Sequence, residues 1–540
     1  MASTFFKSAS LSLLVALFGC SEPASEHSSL ENTPGVSLNN VKQHIKTLAS
    51  DDFQGRGPLT HGEVKTVGYL SEQYEAMGLT GAYNGKFLQP VKMAMVTANQ
   101  NMQLQVGDLK FKAGNDFTAR TEQLQPVIDV RNSDIVFVGY GINAPEYNWN
   151  DYENINVEGK TVIVLVNDPG FATQNDALFT GNAMTYYGRW TYKYEEAARQ
   201  GAKAVFIVHE TAPAAYPWGV VESSNTGTKY TLMDNNLNAS KLPVMGWLTL
   251  NTTEQIFNAA QLNYQNLKQK ALSDDFKATA LNLTANLSFK NEVSHAKSHN
   301  VVAQITGSDA PNEYVVIGAH WDHFGTKQTD SGPKIYNGAV DNASGTAATL
   351  EIARIMNQIH QQTPFKRSIL FANFTAEETG LIGSQEFATG GVVPTKQMVG
   401  LLNIDGMNVL DGTDYILQYG KDLSTLENYL ANAAKAQGRV VKMDPRPQNG
   451  LFFRSDHFSL AKQGVPSLLF MSLGDTDPDY IAHKYHKEAD DYSPQWSLGG
   501  VKQDIELIVD IATQLANNGD WPTWTSASDF KAKREQDKPH

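Results

Sequence analysis

Residues 314–322 read Tyr314-Val-Val-Ile-Gly-Ala319 followed by His320-Trp-Asp322. A largely apolar run without alternation marks a strand buried on both faces, as in a mainly parallel sheet covered by helices. The run stops on an imidazole and a carboxylate. The same design recurs downstream, where Ser368–Phe374 leads into Thr375-Ala-Glu377-Glu378 and Val399–Ile404 ends at Asp405. Tyr415–Gln418 and Ser467–Met471 are further strand candidates, and the spacing of Ala348, Ile352, Ile355 and Ile359 predicts a helix over Gly345–Ile359. From Asn300 onward the chain therefore reads as α/β, with a mostly parallel central sheet flanked by helices.

Ligands of open α/β sheets bind beyond the carboxyl ends of the strands. Three strands here deliver His320, Glu377-Glu378 and Asp405 to one edge. Asp341, in Val340-Asp-Asn-Ala-Ser-Gly345, stands just before the helix, and His486 lies in Tyr485-His-Lys-Glu-Ala-Asp490-Asp-Tyr492. Imidazole and carboxylate together suit zinc. Two zinc ions need a shared carboxylate and further ligands of their own. Asp341 is the candidate bridge, His320 and Asp405 complete one site, and Glu378 and His486 complete the other. Glu377 is left free beside a ligand, where a general base is needed. Asp322 is placed to orient His320, and Asp490 to orient His486. Singly, each residue reads as a helix cap, a solvated surface acid or a core histidine; the combination on strand ends carries the reading.

These segments resemble the co-catalytic zinc aminopeptidase family that includes aminopeptidase Y and glutamate carboxypeptidase. The likeness rests on His-Trp-Asp-His at 320–323, Asp-Asn-Ala-Ser-Gly at 341–345, Ala-Glu-Glu-Thr-Gly at 376–380, Asn-Ile-Asp at 403–405 and the 485–492 segment. It implies a zinc exopeptidase fold, two zinc ions, a peptide substrate and the roles assigned above. Leu48–Gly57 resembles the family's N-terminal loop. Arg454-Ser-Asp-His-Phe458 resembles a segment near the substrate cleft, so Asp456 and His457 are candidates for positioning substrate, with a structural loop as the equal alternative. His323, His483 and His209 read as non-ligands. Carboxypeptidase or glutaminyl-cyclase-like chemistry on the same scaffold, and a non-catalytic binding module, are the competing functions.

Upstream, residues 91–289 are rich in short strand candidates, including Ile135–Val138, Thr161–Val166 and Ala204–Val208, with a helix near Tyr192–Gln200. This stretch resembles an inserted, β-rich α/β protease-associated domain. The expected division is then 38–90 for the first part of the peptidase, 91–289 for the insertion, 290–519 for the main part and 520–540 for a polar tail. At the N-terminus, Lys7 and the apolar run Leu11–Phe18 read as a secretory signal over residues 1–19. Leu17-Phe18-Gly19-Cys20 resembles a bacterial lipobox, making Cys20 a lipidation site and 20–37 a tether. Outer-membrane anchoring, facing the periplasm or the cell surface, is the implied location.

Composition supports the exclusions. With 43 basic and 57 acidic residues the chain carries −14, a poor match to nucleic acid. One cysteine excludes a disulfide framework within the chain. Oligomeric state is not readable from the sequence.

Overall fold

The computed structural model describes residues 34–471, Leu473 and 479–536. The signal segment 1–19, Cys20 and most of the tether lie outside them. Residues from Gly35 onward form one compact unit. It opens with α1 (Leu38–Leu48) and α2 (His61–Ala76), whose first turns are capped by the Ser37 and Thr60 hydroxyls. A 3-10 turn over Asp51–Arg56 joins them.

Strand β1 (Leu88–Ala98) leads into the region expected as an insertion. There β2 (Val127–Phe137), β3 (Thr161–Leu165), helix α3 (Trp190–Arg199), β4 (Ala204–His209) and β5 (Val244–Thr249) follow in order. The strands run β2–β3–β4–β5, all parallel. Successive residues of β3 to β5 point to opposite faces. Ile163, Phe206 and Leu248 join one core, while Val162, Val205 and Trp247 join another.

Strand β6 (Thr279–Ile305) then leads to β7 (Ala310–His320), α4 (Gly345–Gln362), β8 (Arg367–Phe374), β9 (Met398–Ile404), β10 (Tyr415–Tyr419), β11 (Ser467–Met471) and α5 (Gly499–Asn517). The middle of this sheet is parallel, in the order β8–β7–β9–β11. Antiparallel β6 pairs with β8, and antiparallel β10 with β11. Helices α1, α4 and α5 cover one face, packing against Val315, Ile317, Phe371 and Leu402. Val316, Leu370 and Leu401 face the opposite layer with Phe387 and Leu460. Each such side chain contributes roughly 1.5–3 kcal/mol by burial. The mixed α/β fold with a mostly parallel, helix-flanked centre is thus the one expected.

Two features differ from the expectation. The boundary drawn at 289/290 falls inside β6, which is continuous for 27 residues. Its first half pairs with β2 and its second half with β1 and β8. Polar residues at its middle, among them Glu292, His295 and Lys297, broke the apolar pattern without breaking the strand. The polar tail also packs as far as residue 536. Trp524 and Phe530 are buried, Trp524 Nε1 donates to Gly464 O at 2.8 Å, and Arg534 donates to Met398 O at 2.8 Å. Two aromatics and one arginine anchor a segment whose average composition reads as solvated.

Among the described residues, no helix is long and apolar enough to cross a membrane.

Candidate metal centre

His320 ends β7, Asp405 follows β9, Glu377 and Glu378 follow β8, and Asp341 lies in the turn before α4. The parallel register β8–β7–β9 brings these strand ends together. His320 Nε2 is 3.2 Å from Asp405 Oδ1 and 3.3 Å from Asp341 Oδ1. The other Asp341 oxygen, Oδ2, is 3.1 Å from His486 Nε2, which is 3.3 Å from Glu378 Oε2. Asp341 therefore faces one histidine with each oxygen. All five candidate ligands converge.

The Asp341 turn is held from two sides. Asn342 is fully buried, donates to Ile404 O at 2.9 Å and accepts from the Gly345 and Gly406 amides at 3.0 Å. This ties Asp341 to the end of β9, beside Asp405. Asp490 accepts from the Val340 and Asp341 amides at 2.9 and 3.0 Å and from the Tyr480 hydroxyl at 3.1 Å. Its expected partner was the His486 ring; its carboxylate instead fixes the backbone of the bridging residue, because two adjacent amides in that turn have no strand partner.

Asp322 Oδ1 lies 3.7 Å from His320 Nδ1 and accepts the Glu377 amide at 3.0 Å, linking the imidazole to the candidate base. Asp456 and His457 are fully buried. Neither side chain meets a partner in good hydrogen-bonding geometry, Ser384 beside Asp456 and the Phe452 backbone beside His457 being the polar neighbours. Burial, opposed by the charge of His320, pushes Asp456 up to about 7, and burial pulls His457 down to about 3.

Three residues carry more than the sequence reading gave them. His323, read as a non-ligand, is buried with Nδ1 2.6 Å from Glu378 Oε1, yet neither atom is in hydrogen-bonding geometry. Its burial pulls it down to about 3, so it is a neutral donor. Asn342 entered the sequence reading only as a member of the Asp-Asn-Ala-Ser-Gly segment at 341–345, without a role of its own. Arg56 is fully buried beneath the centre and donates to four backbone carbonyls, Trp321 O, Leu48 O, Asn337 O and Gly338 O, at 2.5–2.9 Å. A single charged residue between glycines, at Gly55-Arg56-Gly57, was its only trace in the sequence.

The donor set fits a pair of divalent cations. Two clusters, His320–Asp341–Asp405 and His323–Asp341–Glu378, each have ligand atoms within 4.8 Å of one another. Buried Asp322 Oδ2, Glu378 Oε1 and both His323 nitrogens lack hydrogen-bond partners. The charges point the same way. Burial, with the neighbouring charges of Asp405, Asp456 and Asp322, pushes Glu377 well above the usual carboxylate range. Burial together with Asp341 and Glu377 does the same to Glu378. Burial opposes a charge on Asp341, but the bonds to His320 and His486 hold it well below. Burial likewise disfavours a charged His320, but Glu377 and the bonds to Asp322, Asp341 and Asp405 raise it well above its ordinary value. Carboxylates crowded at this depth call for cations.

Residues 300–507 match the model of Peptidase family M28. The matched segment contains every candidate ligand. Among curated proteins, the chain is 36% identical over 118 residues to a glutamate carboxypeptidase 2 homolog of Caenorhabditis elegans, covering 21% of this chain and 14% of that protein. It is 39% identical over 103 residues to the aminopeptidase NAALADL1 of Rattus norvegicus, covering 19% and 12%. With leucine aminopeptidase 1 of Arthroderma gypseum it shares 29% over 228 residues, covering 40% and 58%. The match thus spans less than two thirds of each of these relatives. Among solved structures, the aminopeptidase from Aneurinibacillus sp. strain AM-1 aligns with TM-score 0.49 and 22% identity over 90% of this chain and 95% of that one.

Proposed function

We propose that the chain is a zinc-dependent exopeptidase, acting as an aminopeptidase that releases N-terminal residues from peptides. The observation that carries this reading is Asp341, whose two oxygens face His320 at 3.3 Å and His486 at 3.1 Å. His320 and Asp405 would hold one zinc ion, Glu378 and His486 the other, with Asp341 shared. When bound, such a pair polarises the scissile carbonyl and lowers the pKa of water. Glu377 accepts the proton of the attacking water on its carboxylate and delivers it to the nitrogen of the leaving amine. Its burial suits it to hold that proton between the two transfers. Asp322, on the Glu377 amide, keeps the base in register with His320.

The test is Glu377→Gln, which preserves volume. It should retain the zinc content of the parent and lower turnover on aminoacyl anilides by at least ~10²-fold. Turnover at the parent rate rejects the assignment.

The N-terminal residues support a second element of the reading, an exported lipoprotein anchored through Cys20. Cys20→Ala should move the protein from the membrane to the soluble fraction; unchanged fractionation rejects the anchor. The region between β1 and β6, with cores of its own, is read as the protease-associated insertion.

A further inference from the structure

The metal centre opens to solvent on one side. Of the five candidate ligands His486 is the most exposed, at 36% of its side chain, against 7% or less for His320, Asp341 and Glu378. Aromatic rings bound the approach from that side. Tyr485, itself exposed, stacks on His486 with ring centroids 3.8 Å apart, and Phe324 meets His486 edge to face at 4.9 Å.

Phe324 leads into a two-stranded hairpin, Gly325–Thr329 paired antiparallel with Gly332–Tyr336. Its backbone is seated on the Asp51–Arg56 turn. A Cβ at Gly55 would lie 2.7 Å from Gly325 O, and one at Gly57 would lie 3.0 Å from Gly325 Cα, so only glycines let these backbones meet. Lys334 ties the hairpin to the segment that carries His486, pairing with Glu488 at 2.9 Å.

One charge on this hairpin has no counterpart. Lys327 stands directly opposite Lys334 in the register, so the two side chains share a face and their like charges repel. Lys334 has Glu488, whereas among the described residues Lys327 pairs with no carboxylate. The Lys327 ammonium sits instead over two rings, 4.2 Å from the centroid of Phe324 and 4.5 Å from that of Tyr336. Ring faces hold a cation in place without neutralising it. The ammonium is therefore one ring removed from a metal ligand. Burial pulls it below the usual lysine value, and the charge of Glu378 works against that pull. Glu378 is committed to the metal centre, so its charge does not satisfy the lysine.

We propose that Lys327 is a specificity-determining residue that draws a carboxylate side chain of the substrate to the mouth of the metal centre, favouring peptides with glutamate or aspartate beside the scissile bond. This rests on the exopeptidase reading and names the substrates it prefers. The first two residues of a peptide lie one chain step apart, ~3.3–3.6 Å, so either can present the carboxylate. Lysine suits the task because a compact ammonium on a flexible stem can follow both positions.

The experiment uses the zinc-loaded full chain and dipeptide amides, which carry no terminal carboxylate. Glu-Ala-amide is compared with Gln-Ala-amide for the first residue, and Ala-Glu-amide with Ala-Gln-amide for the second, with leucine p-nitroanilide as reference. In at least one pair the parent should favour the acid by roughly 5-fold in kcat/KM at low ionic strength, carried by KM, the upper range for an ion pair open to solvent. Raising the salt to ~0.5 M should shrink that preference. Lys327→Gln should bring the ratio to about one, and Lys327→Arg should keep it. Lys327→Glu should reverse it, making the lysine peptide a better substrate than the glutamine peptide at the same position. Each ratio is taken within one variant, so a general loss of activity does not imitate the effect, and zinc content equal to the parent's shows that each variant keeps its centre. Equal rates in both pairs overturn the proposal, as does a preference unchanged in Lys327→Gln and Lys327→Glu. Cleavage of the anilide alongside either failure leaves the exopeptidase reading standing. A parent that cleaves neither anilide nor peptide removes both.

Discussion

Replacing Arg56 with methionine should destabilise the protein by about 3 kcal/mol. The guanidinium is fully buried and donates to four carbonyls, drawn from the end of α1, from Trp321 just past β7, and from Asn337 and Gly338 ahead of the Asp341 turn. Charged donors contribute ~1.5–3 kcal/mol each, so even the lower end gives about 6 kcal/mol for four. Gly338 O would keep the Ala343 amide, which holds the sum to that lower end. Against this, burial of the charge pulls Arg56 from 12.5 down to about 10, despite the opposing charges of Asp490, Asp322, Asp341 and Glu378. Methionine removes that burden, worth about 3 kcal/mol at ~1.36 kcal/mol per unit. The hydrogen bonds outweigh the desolvation. Arg56→Lys, which keeps the charge but loses the fork, should fall between parent and methionine. Guanidinium chloride unfolding of metal-free and zinc-loaded protein measures both effects. The loss should be larger without metal, because Arg56 is then the cation those carboxylates see. Stability within ~1 kcal/mol of the parent in both forms would refute the reasoning.

Asp341→Asn should lower bound zinc from about two per chain to one or fewer after dialysis, read by elemental analysis, because the variant offers one acceptor oxygen where the geometry uses two. Asp151 gives a pH signature away from the metal centre. It is buried, accepts from Ile142 N at 3.0 Å and Trp149 Nε1 at 2.9 Å, and burial raises it from 3.8 to about 7. The folded state then binds a proton that the unfolded chain has released, so its contribution is full below 3.8 and is lost as pH rises through 7. The stability lost in Asp151→Ala should accordingly shrink by about 3 kcal/mol between pH 5 and 8, compared by urea unfolding of both zinc-loaded proteins; a constant or growing difference contradicts the assignment.

The strand ends were legible because burial on both faces leaves a strong signal: β7, β8 and β9 are apolar runs that stop on ionisable groups. What the sequence could not show were partnerships across long separations. Arg56 meets Asn337 across 281 positions, and Asp490 meets Val340 across 150. No local pattern encodes such pairs, so Asp490 was read toward its sequence neighbour His486 instead. His323 illustrates a different limit. A second histidine in a four-residue segment is commonplace, and only the placement of Glu378 gives it a role. The continuity of β6 was hidden because its middle alternates polar residues, which on a strand between two cores need no burial.

That long strand has a consequence for how the molecule comes apart. One end of β6 completes the sheet of β2, and the other covers the edge of β8, whose last residue leads to Glu377. Neither core can melt alone without stripping hydrogen bonds from its neighbour's strands, so heating should produce one cooperative transition where two separable modules would give two. Cutting the insertion out would fare no better. It would strip β2 from the first half of β6 and leave there a bare amide edge, open to pairing with other chains.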